Sequence, residues 1–222
     1  MIIVGIDFSI NHPGVCISYD FKTFEWLGVC NTKNSKKKSK FLEDLQLAYE
    51  GVSFLDLGEK DVKGNTYSST ESKKLENMVK LSNHIKDWII KRLDWNQPII
   101  VAFEGFSYGS SGNSLVDIAQ GTGIIKKDLL DSVLKGNRQG LFIFSPGELK
   151  NCLGCKGNAD KLTVLNQFLE DPKIEEVKST GFFKLLKDNS SDIIIKNKVE
   201  SPFMDMVDSY LPILKVYNVL LK

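Results

Sequence analysis

The chain has 222 residues, 42% hydrophobic and 26% charged, a globular balance that excludes global disorder and suffices for a core without disulfides. With 29 basic and 28 acidic side chains the net charge is +1, so whole-molecule electrostatics exclude a generally basic nucleic-acid binder; such a partner must meet a local patch. No stretch approaches the roughly 18 apolar residues of a spanning helix. The opening MIIVGIDFSI has no basic start and is interrupted by Asp7, so it does not read as a signal peptide, and a cytoplasmic protein is expected. Cys152 and Cys155 have ligand-like spacing without a second pair, and with Cys16 and Cys30 they read as free thiols.

In chain order, Ile2 to Phe8 is a β-branched strand, followed by turn chemistry at Asn11 to Gly14. Val15 to Tyr19 and Phe24 to Val29 continue as an antiparallel meander. Residues 31–71 shift to Lys, Ser, Gly and Asn and read as an insertion or long loop with little core of its own. Within it Lys33, Lys36, Lys37, Lys38 and Lys40 form a run without acids, either a solvated loop or an arm that contacts phosphate. Ser72 to Leu93 has helical periodicity, with Leu75, Met78, Val79, Ser82, Ile85, Trp88, Ile89 and Leu93 near one face. Ile99 to Phe103 is a second fully apolar strand ending on Glu104. A small-residue loop precedes a helix from about Ser114 to Leu134, and Leu141 to Phe144 is another strand. Helices are expected over Gly147 to Cys152 and Asp160 to Glu170. Residues 171–200 carry mixed charge and read as a second insertion. The last helix opens with Ser201 as N-cap and Pro202 at its first position, and Pro212 should kink or end it. The pattern describes one α/β domain over residues 1–222, a mixed sheet flanked by helices.

Two apolar strands, IIVGID and IIVAFE, each end on a carboxylate, although an unpaired buried carboxylate costs several kcal/mol. One such case reads equally as a cap or an ion pair; two on strands that can be neighbours point to function. On the terminal helix Asp205 and Asp208 are three residues apart, sharing one face among apolar neighbours. Helix-dipole stabilisation accounts for that pair but not for Asp7 and Glu104. Four converging carboxylates form an oxygen-ligand site for hard cations such as Mg²⁺. Two such ions about 4 Å apart stabilise both the attacking and the leaving oxygen of a phosphodiester displacement.

These motifs resemble the RuvC family of Holliday-junction resolvases, on the ribonuclease H-like fold. The resemblance rests on GIDFS, VAFEGF, residues 113–123 (NSLVDIAQGTG), SPGELK followed by GCKGNADK, and the terminal Asp-x-x-Asp, in that order over about half of the chain. It implies a metal-dependent endodeoxyribonuclease of DNA recombination and repair in which Asp7, Glu104, Asp205 and Asp208 hold Mg²⁺, with Mn²⁺ able to substitute. It also implies a homodimer nicking two opposed strands of a four-way junction and leaving 5′-phosphate and 3′-hydroxyl ends. Lys150, Lys156 and Lys161 would face the phosphate backbone, and Phe106 or Tyr108 would stack on an unpaired base. Both aromatics sit two and four residues beyond Glu104, displaced from where the family's single one is expected. A nuclease for flaps and forks, a non-catalytic DNA-binding member and an actin-like or sugar-kinase-like phosphotransferase remain as alternatives. The last usually needs a second domain and a second phosphate loop, neither of which is evident. Lysine in place of arginine, with frequent Asn and Ile, suggests an AT-rich genome and a bacteriophage or viral source.

Overall fold

The N-terminal apolar runs form the expected meander of β1 (Ile2–Asp7), β2 (Gly14–Tyr19) and β3 (Thr23–Cys30). The structure is a computed structural model that describes residues 1–32, 35–58, 64–105 and 113–220. After β3 come α1 (Lys36–Ala48), β4 (Val52–Asp56), α2 (Tyr67–Ile90), β5 (Ile99–Glu104) and α3 (Asn113–Ser132). The chain continues through β6 (Leu141–Phe144), α4 (Pro146–Leu153), α5 (Lys161–Glu170), α6 (Gly181–Asp188), α7 (Ser190–Ile193), the small hairpin β7 (Ile194–Ile195) and β8 (Lys198–Val199), and α8 (Phe203–Leu220).

Six strands make one sheet in the order β4-β3-β2-β1-β5-β6. β2 is antiparallel to both neighbours and every other pairing is parallel. Consequently β1, β3, β4, β5 and β6 all end at the same edge of the sheet. Side chains alternate between the faces, as period 2 requires. Ile2, Val4, Ile6, Val101 and Phe103 pack with Leu81, Ile85, Ile125 and Leu129 of α2 and α3. Ile3, Cys16, Trp26 and Ala102 pack on the other side with α4, α5, α6 and α8. Covering both faces explains why β1 and β5 are continuously apolar.

The two segments read as insertions, the first of them expected to have little core of its own, both contribute buried side chains. In residues 31–71, α1 is capped by the Ser35 side chain, β4 extends the sheet beside β3, and Leu42, Leu45 and Val52 are buried. In residues 171–200, Val177, Phe182, Phe183, Leu185, Leu186 and Ile193 are buried. Phe182 also packs on Trp26, ring centroids 5.0 Å apart. On α2 the face is Met78, Leu81, Ser82, Ile85 and Ile89; Leu75 and Val79 lie outside it, exposed. The terminal helix begins at Phe203 and continues through Pro212 to Leu220. Pro212 offers no N–H to the Asp208 carbonyl, but Leu211, Ile213, Leu214 and Val216 are buried around it and hold the helix against the sheet. Among the described residues no helix is long and apolar enough to cross a membrane.

Candidate active site

Asp7 is the last residue of β1 and Glu104 the last of β5. The strands are parallel neighbours with Ile6 opposite Phe103, so one step further the two carboxylates stand side by side at the shared strand edge. α8 brings the other two. It crosses β1 and β2, and two strand glycines let it lie almost on the backbone: a Cβ at Gly14 would overlap the Asp205 carbonyl, and one at Gly5 the Ser209 carbonyl. Asp205 and Asp208 thereby face the sheet and are only 5% and 8% exposed. These glycines are a part of the site that the sequence reading passed over. Their signal was glycine inside otherwise β-branched strands, which marks a close backbone approach.

The electrostatics follow from this shared neighbourhood. Burial, then Glu104, Asp208 and Asp205 in turn, raises Asp7 well above the usual carboxylate range, against an opposing pull from Lys161. Burial likewise pushes Glu104 up to about 7, with Lys150 and Lys161 opposing and Asp205 adding to it. Asp208 rises to about 8 through burial first and Glu104 next, with Lys161 opposing. Asp205 Oδ2 is buried and has no hydrogen-bond partner among the described residues. Without a cation, the site therefore retains protons near neutral pH.

Two of the three expected lysines belong to this cluster. Lys161 opens α5 behind the Asp160 cap, and its ammonium stands 3.6 Å from Asp205 Oδ1. Burial alone would lower its pKa, but Asp205, Asp208 and Asp7 outweigh this and raise it. Lys150, on α4, donates from Nζ to the Ala159 carbonyl at 2.7 Å, fastening the connection between α4 and α5 beside the acids. The start of α4 is fixed by a capping box between Ser145 and Glu148. Lys156 lies exposed in that connection. Phe106 and Tyr108 lie outside the described residues.

The donor set is all carboxylate oxygen, which suits a hard cation, and the orphaned Asp205 Oδ2 is a buried acceptor awaiting a partner. Among the described residues, however, no three His, Cys, Asp or Glu side chains close around a single ion position. Mg²⁺ takes one or two carboxylates and fills its remaining positions with water and substrate phosphate, without a closed protein cage.

No protein-family model matches the sequence, and no curated protein matches it. Solved structures do match. Thermus thermophilus RuvC in complex with a Holliday junction substrate aligns over 100% of this chain and 96% of its own, at 13% identity and a TM-score of 0.50. The chain has the fold of RuvC. A second Thermus thermophilus RuvC structure aligns over 99% of this chain and 96% of its own, with TM-score 0.48 and 13% identity. The yeast mitochondrial Holliday junction resolvase Ydc2 aligns over 98% and 82%, with TM-score 0.48 and 16% identity. In this RuvC-like fold, a mixed sheet flanked by helices, the strand edge and the last helix converge on the acids identified from the sequence.

Proposed function

We propose that the protein is a metal-dependent, structure-selective endodeoxyribonuclease that resolves four-way DNA junctions by paired nicks. The observation that carries this reading is the meeting of Asp7, Glu104, Asp205 and Asp208 at one strand edge, in a fold shared with a protein solved on a Holliday junction. Two opposed nicks call for two copies of the site, hence a homodimer.

In this reading the four carboxylates hold two Mg²⁺ ions. When bound, the ions polarise the scissile phosphodiester and activate the attacking water. The chain's own groups prepare and position. Glu104 and Asp208, which keep protons near neutral pH, must release them to become ligands, so loading the site releases protons. Lys161 balances part of the negative charge, and its side chain is 61% exposed on the solvent side of Asp205. There it also meets an incoming phosphate as a point charge. Lys150 holds the connection that carries Lys156 and Lys161, and Lys156 contacts the DNA backbone without reading bases.

The test is cleavage of a labelled four-way junction beside linear duplex, flap and fork, with Mg²⁺, Mn²⁺ or chelator. Symmetric nicks confined to the junction and abolished by chelator are expected. Equal cutting of flaps and forks would broaden the substrate to branched DNA. The competing reading is a junction-binding protein without catalysis. Tight junction binding with no cut in either metal would establish it.

A further inference from the structure

We infer that the N-terminal half of α1 is a second DNA-contacting surface, which grips the backbone of a duplex arm away from the cleavage site. The inference rests on the proposed branched-DNA substrate and adds a contact outside the acid cluster. Lys36, Lys37, Lys38 and Lys40 occupy the first turns of α1 with no acid among them, and Lys36, Lys37 and Lys40 are exposed. Among the described residues none of the four enters an ion pair.

Helix stability does not account for this arrangement. Cations at a helix N-terminus oppose the macrodipole, and the helix's acids, Glu43 and Asp44, come later, towards its C-terminal half. Both signs are therefore reversed from what stabilises a helix. Lys36 and Lys40 are also one helical turn apart, a like-charge pair that repels. Lys40 gains at most a weak pairing with Glu43 or Asp44 one turn on, and Lys36 and Lys37 have no acid at that spacing; a polyanion lying across the first turns engages all three.

The topology places the patch where DNA bound at the acids would pass. β3 and β4 end at the same sheet edge as β1 and β5. Ser39 Oγ lies 3.5 Å from the Asp56 carboxylate, and the Thr32 backbone N–H donates to Asp56 at 3.2 Å. The start of α1 is thereby pinned to the carboxyl end of β4. Lys38 is close enough to Cys30, the last residue of β3, to lower its thiol pKa against burial. β4 stands three strands from β1, about 14 Å at roughly 4.8 Å per strand. That is about four base steps of a duplex at 3.4 Å each. Lys150 and Lys161 stand beside the acids, and the lysines of α1 extend positive charge along the edge from there. This is how a protein with a net charge of only +1 presents a basic track.

The experiment compares wild-type protein with a Lys36→Gln/Lys37→Gln/Lys40→Gln variant. Each binds a four-way junction in Ca²⁺ over 50–200 mM salt, and footprints are taken on the same complexes. Each lost phosphate contact flattens the slope of log K against log salt by about 0.9. Three lost contacts therefore make the wild-type affinity fall about 40-fold more than the variant's across that range. Protection about four base pairs from the cut should disappear from the footprint, while single-turnover cleavage at saturating protein is unchanged. The variant's melting temperature should equal or exceed that of the wild type. An unchanged slope and footprint would overturn the inference while leaving the junction nuclease intact. Marked destabilisation would also overturn it by assigning the lysines to structure. Loss of binding to phosphatidylserine vesicles with intact junction binding would reassign the patch to anionic lipid. Failure of the wild type to bind branched DNA at all would remove both readings together.

Discussion

Replacing Glu104 with Gln tests whether burial at the strand edge, with a smaller contribution from Asp205, holds this carboxyl in its protonated form. Glu104 moves from an ordinary 4.5 to about 7 in the folded chain. A carboxyl with a raised folded pKa binds its proton more tightly when folded. Its contribution to stability is therefore complete below pH 4.5, declines as pH rises through the window to about 7, and is lost above it. The upward shift of about 2.5 units corresponds to roughly 3 kcal/mol in metal-free protein at pH 8. Glu104→Gln removes that titration while keeping the shape, although Lys150 and Lys161 lose a partner and take back part of the gain. In chelator at pH 8 the variant should melt above wild type by up to about 10 °C, given some 2–4 °C per kcal/mol for a chain of this size. At pH 4 the two should nearly coincide. Added Mg²⁺ should raise the wild-type melting temperature at pH 8 and move the variant less, because a cation replaces the missing proton only where the carboxylate exists. Thermal denaturation by circular dichroism over pH 4–8 reads all of this. A variant no more stable than wild type at pH 8, or a constant difference across the pH range, would refute the burial of an ionisable Glu104 at the cost worked out above.

Lys161→Gln removes the cation that opposes the raised pKa of Asp7, Glu104 and Asp208, so metal-free stability should fall more steeply between pH 5 and 8 than in wild type. Gly14→Ala should force α8 off the sheet, costing about 1–3 kcal/mol or more by overpacking and abolishing cleavage. Gly123→Ala has open space around its added Cβ and should leave stability equal or raise it by about 0.5–1 kcal/mol. Phe182→Ala should cost about 3–5 kcal/mol in denaturant titration; a cost below about 1 kcal/mol would show that residues 171–200 are an appendage to the core.

The legible parts of this chain were those whose local pattern and tertiary role agree. IIVGID and IIVAFE are apolar throughout because helices cover both faces of their sheet, and the only residues that break the pattern are Asp7 and Glu104. Asp205 and Asp208 stood out for the same reason, as acids amid Phe203, Met204, Met206 and Val207. The α1 segment was illegible because its four lysines dominate the composition and hide the buried pair Leu42 and Leu45. Residues 181–188 were obscured similarly: Phe182, Phe183, Leu185 and Leu186 form a strong apolar face, diluted by averaging charge over thirty residues. Leu75 and Val79 fit the helical period but lie to one side of the stripe that α3 and the sheet cover. Nothing local reveals which stripe a neighbour will choose. Lysines 150 and 161 could be assigned to DNA by resemblance, whereas their position against the acids arises from the packing of α4, α5 and α8 and is visible only in the fold.

As the cleaving centre, and not merely a buried acidic cluster, the four carboxylates should be needed for cleavage and dispensable for binding. Asp7→Asn tests this most directly, in single-turnover cleavage of a four-way junction with Mg²⁺ alongside binding of the same junction in Ca²⁺. Binding should stay within a few-fold of wild type while cleavage falls below detection. Cleavage by Asp7→Asn at the wild-type rate would contradict that assignment.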